Sequence, residues 1–196
     1  MTPPPVPIFV LMGTCGCGKT SVAAEMQKIL GCEYVEGDSL HPRSNVEKMA
    51  SGHPLNDDDR WPWLRLIRDH LISKAEEVKD VDISSPHRVV IVTCSSLRKV
   101  YRDIIREVPS ELGTVCFVYL KGTHDLLLER ITNRKGHFMP PSMLDSQLAT
   151  LEEPDEKTEN IIVQSIVPPT TEQAKAIIQE AINRKMLPEC SLTKAA

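Results

Sequence analysis

Eight residues near the N-terminus carry the clearest chemical signal in the sequence. They fit the pattern G-x-x-x-x-G-K-[ST] without a gap, as Gly13, Thr14, Cys15, Gly16, Cys17, Gly18, Lys19 and Thr20. An apolar run precedes them and a helix-like stretch follows them. Glycines at this spacing turn successive backbone N–H groups toward a polyphosphate at a helix N-terminus, whose dipole also favours anions. The pattern predicts a nucleoside triphosphate site, with Lys19 at the β- and γ-phosphates and Thr20 at a magnesium ion.

A second polar cluster follows the next apolar run, at residues 36–43. Within it, Asp38 is predicted to accept a hydroxyl proton from an acceptor or to hold magnesium-bound water, both recurring roles in phosphoryl transfer. The alternative for Asp38 is a helix cap or a turn. His41 is a weaker signal, because a lone histidine is more often a structural hydrogen-bonding residue. The apolar run at 89–94 ends without an aspartate, so Thr20 and Asp38 are the predicted metal ligands.

A third cluster, at residues 55–64, combines an acidic turn, an arginine and two tryptophans. Asp58 or Asp59 is predicted to cap a helix that has Pro62 in its first turn. Arg60 is left free to point into a ligand cleft, where its guanidinium would form a fork for a carboxylate. The tryptophans are interpreted as packing residues.

A fourth cluster, at residues 129–141, is a helix end that breaks into a segment rich in glycine and proline. Arg130 and Arg134 are four residues apart and share a helix face. We expect them to stabilise charge on the transferring phosphoryl group as a lid at 134–141 closes. A solvated basic face is the alternative.

The six cysteines show neither zinc-type pairs nor the density of a disulfide scaffold. Cys15 and Cys17 stand at a predicted helix N-terminus beside Lys19, which favours a lowered pKa and reactive thiols. The alternative is that they are small loop residues in place of serine.

Alternation of strands and helices defines the predicted architecture. Apolar, β-branched runs predict five strands, at 8–12, 33–36, 89–94, 115–120 and 160–163. Helix-period segments lie at 21–30, 44–50, 61–78, 96–107, 125–133, 142–151 and 172–185. This alternation predicts an α/β fold of three layers, α/β/α, with a five-stranded parallel sheet and ligands at the carboxyl ends of the strands.

Length and charge limit the partners. The 196 residues, 41% of them hydrophobic, suffice for a single domain, with flexible ends expected at 1–6 and 188–196. The net charge of −4 gives no general attraction to nucleic acid or to an anionic membrane, so a small anion is the expected partner. No apolar run is long enough to span a membrane, and residues 1–7 lack the pattern of a signal peptide, so a cytoplasmic location is expected.

Together these motifs resemble the gluconokinase family over residues 8–155. Beyond the phosphate loop, the resemblance is carried by the strings GDSLHP (37–42), NVEKMASG (45–52), DRWPWL (59–64), CSSL (94–97), YRD (101–103) and GHFMP (136–140). It implies ATP- and Mg²⁺-dependent phosphorylation of D-gluconate at the 6-hydroxyl. It also implies a fold like that of nucleoside monophosphate and shikimate kinases, with a lid, and a homodimer.

The resemblance also implies roles for individual residues. Asp38 would lie at the acceptor hydroxyl, Arg130 and Arg134 in the lid, and His41, Lys48 and Arg60 around the sugar acid. Arg102 and Gln147 are further candidates for polar contacts, and the alternative for Gln147 is a position on the outside of its helix. The residues by themselves leave two alternatives open, namely a kinase for another small anion and a non-catalytic nucleotide-dependent regulator.

Overall fold

The computed structural model describes residues 3–51, 53–133 and 141–192. All five strands in these residues belong to one parallel sheet. The strands are β1 (Val6–Met12), β2 (Tyr34–Glu36), β3 (Val90–Thr93), β4 (Gly113–Lys121) and β5 (Ile161–Ser165). Their order across the sheet is β2-β3-β1-β4-β5, so β1 is central. Because the strands run in one direction, the segments that follow β1, β2 and β3 meet at the same end of the sheet.

Helices cover both faces of this sheet. They are α1 (Lys19–Leu30), α2 (Arg43–Ala50), α3 (Asp57–Val78), α4 (Lys99–Ile105), α5 (His124–Thr132), α6 (Pro141–Thr150) and α7 (Thr170–Asn183). Short 3₁₀ helices lie at Gly37–Leu40 and Glu189–Leu192. None of the described helices is long and apolar enough to cross a membrane.

The central strand contributes to a core on each face. Successive side chains of a strand point to opposite faces of the sheet. Ile8, Val10 and Met12 pack with buried residues of α3 and α4, whereas Phe9 and Leu11 pack with those of α1 and α7. The predicted three-layer α/β/α architecture with its five-stranded parallel sheet is therefore confirmed.

Helix α3 begins four residues before its predicted start. Its N-cap is Asn56, whose side chain accepts a hydrogen bond from the Asp59 N–H at 3.0 Å. In return the Asp59 carboxylate accepts from the Asn56 N–H at 2.8 Å, which completes a capping box. The prediction that Asp58 or Asp59 caps the helix was wrong, because the asparagine already satisfies the first free N–H groups. Pro62 lies in the second turn rather than the first.

Helix α4 is shorter than its predicted range of 96–107. Ser96 has a φ of 44° and Arg98 is extended, so neither residue is helical. The loop that they form returns to the phosphate loop, where Ser95 O accepts a hydrogen bond from Gly13 N–H at 3.2 Å. The segment after β3 thus supports the turn after β1.

Both chain ends make contacts within the described residues. Pro4 O and Pro5 O accept hydrogen bonds from the Arg88 guanidinium. At the other end, Ser191 is buried within the 3₁₀ helix Glu189–Leu192, so this part of the expected flexible tail is packed against the domain. The predicted lid lies outside the described residues except for Pro141, the first residue of α6.

Candidate active site

The turn between β1 and α1 is shaped to receive an anion. Gly13, Gly16 and Gly18 have φ values of 136°, 78° and 93°, which residues with side chains rarely adopt. Gly18 is the N-cap of α1, and no side chain caps the helix there. The first turn of α1 also contains no acidic residue. Its backbone N–H groups are therefore available to a phosphate at a helix N-terminus.

Two side chains hold the Thr14–Cys15 peptide of this loop. Lys19 Nζ donates to Thr14 O at 3.1 Å and also to Gly13 O at 3.0 Å. Gln147 Oε1, on α6, accepts a hydrogen bond from the Cys15 N–H at 2.6 Å. Gln147 was predicted to contact the sugar acid, but in this structure it contacts the phosphate loop.

Asp38 presents a free carboxylate at the same end of the sheet. It lies in the 3₁₀ helix that follows β2, and its side chain is 86% exposed. It does not cap that helix, whose N-cap is Glu36. Asp38 follows β2 and Lys19 follows β1, and these strands lie on either side of β3 in the sheet. An exposed carboxylate thus lies at the same end of the sheet as the phosphate loop.

His41 is held next to Asp38 with a defined tautomer. Its ring stacks on Trp63, with centroids 4.0 Å apart, and the Trp63 indole N–H donates to Gly37 O at 2.7 Å. The Asn45 amide nitrogen donates to Asp59 O at 2.8 Å and lies 3.3 Å from His41 Nδ1. Because that nitrogen is a donor, Nδ1 accepts and the proton resides on Nε2, 3.9 Å from Asp38 Oδ1. Burial lowers the pKa of His41, so the ring is neutral at pH 7.

Lys48, on α2, is held by a contact with the first turn of α3. Its Nζ lies 2.6 Å from Asp59 Oδ2, the oxygen that also accepts from the Asn56 N–H. The hydrogen bond from Lys48 and, to a smaller extent, that from the Asn56 N–H lower the pKa of the Asp59 carboxyl. Lys48 and His41 are therefore connected through Asn45 and Asp59.

Arg60 belongs to a neighbouring charged network. Its Nη1 donates to Tyr101 Oη at 3.1 Å and lies 3.5 Å from Asp57 Oδ1. The Tyr101 hydroxyl donates to Asp57 Oδ1 at 2.5 Å, and Arg98 Nη1 donates to Asp57 Oδ2 at 2.7 Å. The Tyr101 hydrogen bond and the two arginines lower the pKa of Asp57. Arg60 remains 31% exposed, so part of its five-donor fork is open to a ligand.

Arg130 lies beside the phosphate loop. Its Nη2 donates to Ile166 O at 2.6 Å, and its Nη1 is 3.8 Å from the point where a side chain at Gly18 would begin. This places a positive charge at the N-terminus of α1. Arg134, the second predicted lid arginine, lies outside the described residues.

Comparison with known proteins places this site in a family. No model of a known protein family matches the chain. The thermoresistant gluconokinase of Escherichia coli K12 is 43% identical over 162 residues, which cover 83% of this chain and 86% of that protein. The chain belongs to the gluconokinase family.

Further relatives of this gluconokinase family member agree. A probable gluconokinase of Schizosaccharomyces pombe is 38% identical and covers 92% of each chain. The crystal structure of a gluconokinase from Sinorhizobium meliloti 1021 superposes with a TM-score of 0.72 at 37% identity, covering 94% of this chain and 98% of that one. A shikimate kinase from Acinetobacter baumannii, at 17% identity, shares the fold with a TM-score of 0.55 over 93% of this chain and 96% of that one. The predicted fold type is confirmed.

In this gluconokinase family member, Arg102 has a structural role instead of the predicted contact with substrate. It is 1% exposed, and its Nε and Nη2 donate to the two carboxylate oxygens of Glu159 at 2.8 and 2.9 Å. Its Nη1 donates to Ser96 O and Leu97 O. The guanidinium therefore holds the loop that supports the phosphate loop, and it has no free face toward a ligand.

Glu36 is a residue of this site to which sequence reasoning assigned no role. Thr93 Oγ1 donates a short hydrogen bond to Glu36 Oε2. Glu36 Oε1 is buried and has no hydrogen-bond partner among the described residues. A buried acceptor without a partner is unfavourable, and a metal-bound water would satisfy it. The available signal was an acidic residue at the end of a strand in a parallel sheet.

The donor set fits a magnesium ion that is carried by a nucleotide. Within the described residues, no three His, Cys, Asp or Glu side chains form a ready-made metal site. Mg²⁺ instead commonly uses one or two carboxylates, several waters and the phosphates of its substrate. Asp38, Glu36 and the exposed Thr20 supply oxygens of this kind at one end of the sheet.

The loop cysteines of this family member are partly or fully buried. Burial raises the pKa of Cys15, and this effect outweighs the positive charge of Lys19. Cys17 is fully buried, with its Sγ 3.9 Å from Lys19 Nζ. The expectation of a lowered pKa was wrong for Cys15, because the folded loop partly buries this thiol and burial disfavours the charged thiolate. The alternative of small packing residues describes both cysteines.

Proposed function

We propose that this protein transfers the γ-phosphoryl group of ATP to the 6-hydroxyl of D-gluconate, giving 6-phospho-D-gluconate and ADP. The observation that carries the proposal is the exposed Asp38 carboxylate, beside a neutral His41 and at the same end of the sheet as Lys19. Phosphoryl transfer requires mainly positioning and charge stabilisation, and a carboxylate that orients the attacking hydroxyl is one of its recurring parts.

Asp38 is proposed to accept the proton of the 6-hydroxyl. The carboxylate is exposed and makes no structural hydrogen bond within the described residues, so it is free to contact an acceptor hydroxyl. His41 Nε2 lies 3.9 Å from Asp38 Oδ1, close enough for its N–H to donate to a sugar hydroxyl that Asp38 also contacts. A neutral imidazole suits this role, since it fixes the acceptor without adding charge near Asp38.

The positive end of the acceptor site is proposed to be formed by Lys48 and Arg60. Gluconate is a carboxylate with many hydroxyls, so it needs a cation at one end and a base at the other. Lys48 and Arg60 are both partly exposed and are held in place by Asp59 and Asp57. Arg60 offers a planar fork that matches a carboxylate, whereas Lys48 offers a single point charge.

On the donor side, Lys19, Arg130 and Arg134 are proposed to stabilise the charge of the transferring phosphoryl group. Lys19 must first leave the carbonyls of Gly13 and Thr14 to which it is bonded. Arg130 already lies next to Gly18, where the phosphates would enter. When bound, Mg²⁺ would neutralise phosphate charge, with Thr20, Asp38 and Glu36 as the residues that hold it or its waters.

The test is ADP release by the purified protein with magnesium and ATP, in the presence of gluconate, glucose, shikimate or AMP. Glucose is the matched control, because it carries a 6-hydroxyl but no carboxylate. The expected result is strong stimulation by gluconate alone. The product should be heavier by one phosphoryl group, and its phosphorus should couple to the two protons on carbon 6 in the NMR spectrum.

Other outcomes would identify other functions. Stimulation by shikimate or AMP in place of gluconate would keep the kinase activity and overturn the acceptor. Binding of ATP without stimulation by any acceptor would favour a nucleotide-dependent regulator.

Two further properties stay predictions, the first from the family resemblance and the second from the sequence pattern. A homodimer is expected, and light scattering during size-exclusion chromatography would measure its mass against the 21.9 kDa of one chain. A cytoplasmic location is expected as well, and imaging of a tagged chain in cells would test it.

A further inference from the structure

One backbone N–H group of the phosphate loop is already occupied by a side chain from a distant part of the fold. Cys15 N–H donates to Gln147 Oε1 at 2.6 Å, across 132 residues of sequence. The carbonyl of the same peptide, Thr14 O, accepts from Lys19 Nζ at 3.1 Å. A hydrogen bond to a cation at the carbonyl polarises the peptide and makes its N–H a better donor. The two contacts therefore reinforce one another.

Both contacts involve groups for which a bound triphosphate would compete. The N–H groups of this loop are the donors that cradle phosphates, and the lysine is the group that reaches the β- and γ-phosphates. An anionic phosphate oxygen is a stronger acceptor than the neutral amide oxygen of Gln147. The phosphates should thus draw Lys19 away from Thr14 and displace Gln147 from Cys15.

Displacement of Gln147 would also remove the hydrogen bond that joins α6 to the phosphate loop, while Leu144 stays buried in the core. This helix begins at Pro141, the last residue of the range predicted to be the lid. Gln147 connects α6 to the phosphate loop, and Asp145 connects it to α5 through His124 Nε2 at 2.9 Å. The Asp145–His124 contact is exposed and involves no residue of the phosphate loop, so we expect it to stay when phosphate binds.

We propose that Gln147 is a placeholder ligand of the empty phosphate loop. It satisfies the Cys15 N–H until a nucleoside triphosphate arrives, and its displacement links nucleotide binding to a shift of α6. The inference rests on the proposed function only in requiring a triphosphate at this loop; it does not require gluconate to be the acceptor.

The test is titration of purified variants with ATP in the absence of any acceptor. Gln147→Met keeps the length of the side chain but removes the competing oxygen, so ATP should bind about 2- to 10-fold more tightly, the range expected for losing one hydrogen bond. Gln147→Glu supplies an anionic competitor and should weaken binding about 10-fold or more. Gln179→Met on α7 is the matched control, since this exposed glutamine contacts only Asn183 among the described residues, and it should bind ATP as the wild type does.

Amide hydrogen exchange in residues 143–150 supplies a second readout. In the wild type, ATP should speed exchange in α6, whereas in Gln147→Met the exchange should already be fast without ATP. Unchanged or weaker ATP binding by Gln147→Met would overturn the proposal, and weaker binding would assign Gln147 to the phosphates as a ligand. Failure of the wild type to bind ATP would refute both this inference and the proposed function. If the wild type shows gluconate-dependent turnover but Gln147→Met binds ATP with unchanged affinity, this inference alone is refuted.

Discussion

Replacing Glu159 with glutamine should destabilise the protein markedly, although this residue lies outside the cleft. The Glu159 side chain is 5% exposed and accepts hydrogen bonds from Arg102 and Arg106. Burial alone would raise the pKa of Glu159, but the two arginines lower it from 4.5 to about 2. The shift corresponds to about 3 kcal/mol of folding free energy at neutral pH, at about 1.4 kcal/mol per pKa unit.

The cost of breaking the buried ion pair gives a second estimate of the lost folding free energy, of the same size. The substitution leaves the Arg102 guanidinium 1% exposed and without a counter-charge. Breaking a buried ion pair in this way typically costs about 3–5 kcal/mol. For a chain of this size, a loss of about 3 kcal/mol should lower the melting temperature by about 6–12 °C.

The stabilisation by Glu159 should depend on pH, in a direction set by its lowered pKa. A carboxyl with a lowered folded-state pKa stabilises the fold above its ordinary pKa, and this contribution disappears as the pH falls through the folded-state value. The wild type should therefore lose about 3 kcal/mol between about pH 5 and pH 2 through Glu159. Glu159→Gln has no carboxyl to titrate at this position, so the difference between the two proteins should shrink across that window.

Urea unfolding at pH 7, 5 and 3 would measure this effect. Glu156→Gln is the matched control, because Glu156 is exposed and lies three residues away. A Glu159→Gln midpoint equal to that of the control at pH 7 would refute the reasoning. A loss of stability that is equally large at pH 7 and pH 3 would show that packing, and not charge, is responsible.

Three further substitutions or reactions test the site. Asp38→Asn should lower kcat about 10²- to 10⁴-fold and leave ATP affinity nearly unchanged; retained turnover in the coupled ADP assay would exclude Asp38 as the base. Gly37→Ala should lower the melting temperature and kcat together, because the new Cβ would lie 2.1 Å from Thr93 O; a fully active, equally stable variant would contradict this packing. Cys15 and Cys17 should react with iodoacetamide at pH 7 far more slowly than free cysteine, since burial raises the pKa of Cys15 and Cys17 is fully buried. Mass spectrometry would measure the rate of labelling, and rapid labelling of either cysteine would contradict this prediction.

The strands and the phosphate loop were predictable because their signals are local. A buried parallel strand needs a short apolar run, and residues 6–12 form one that packs on both faces of the sheet. The loop glycines similarly encode a backbone conformation that few other residues adopt. In both cases the physical cause lies within the segment, so the sequence of the segment suffices.

The errors concern residues whose partners are distant in sequence. Arg102 resembles a ligand-binding arginine until Glu159, 57 residues later, is found against it. The start of α4 depends on the Ser96 and Leu97 carbonyls that Arg102 holds, not on helix propensity. The pKa of Cys15 depends on how deeply the folded loop is enclosed, which the adjacent Lys19 cannot reveal.

The carboxylate of Asp59 has a consequence for engineering the acceptor range. One oxygen, Oδ2, both closes the capping box of α3 and holds Lys48. Substituting Asp59 to admit a different acid would remove one of the two hydrogen bonds of the capping box, at about 1 kcal/mol, together with the anchor of the lysine. Arg60 carries no comparable structural duty, since Tyr101 and Arg98 both still contact Asp57 without it. Libraries aimed at new acceptors should therefore vary residue 60 first and leave residue 59 unchanged.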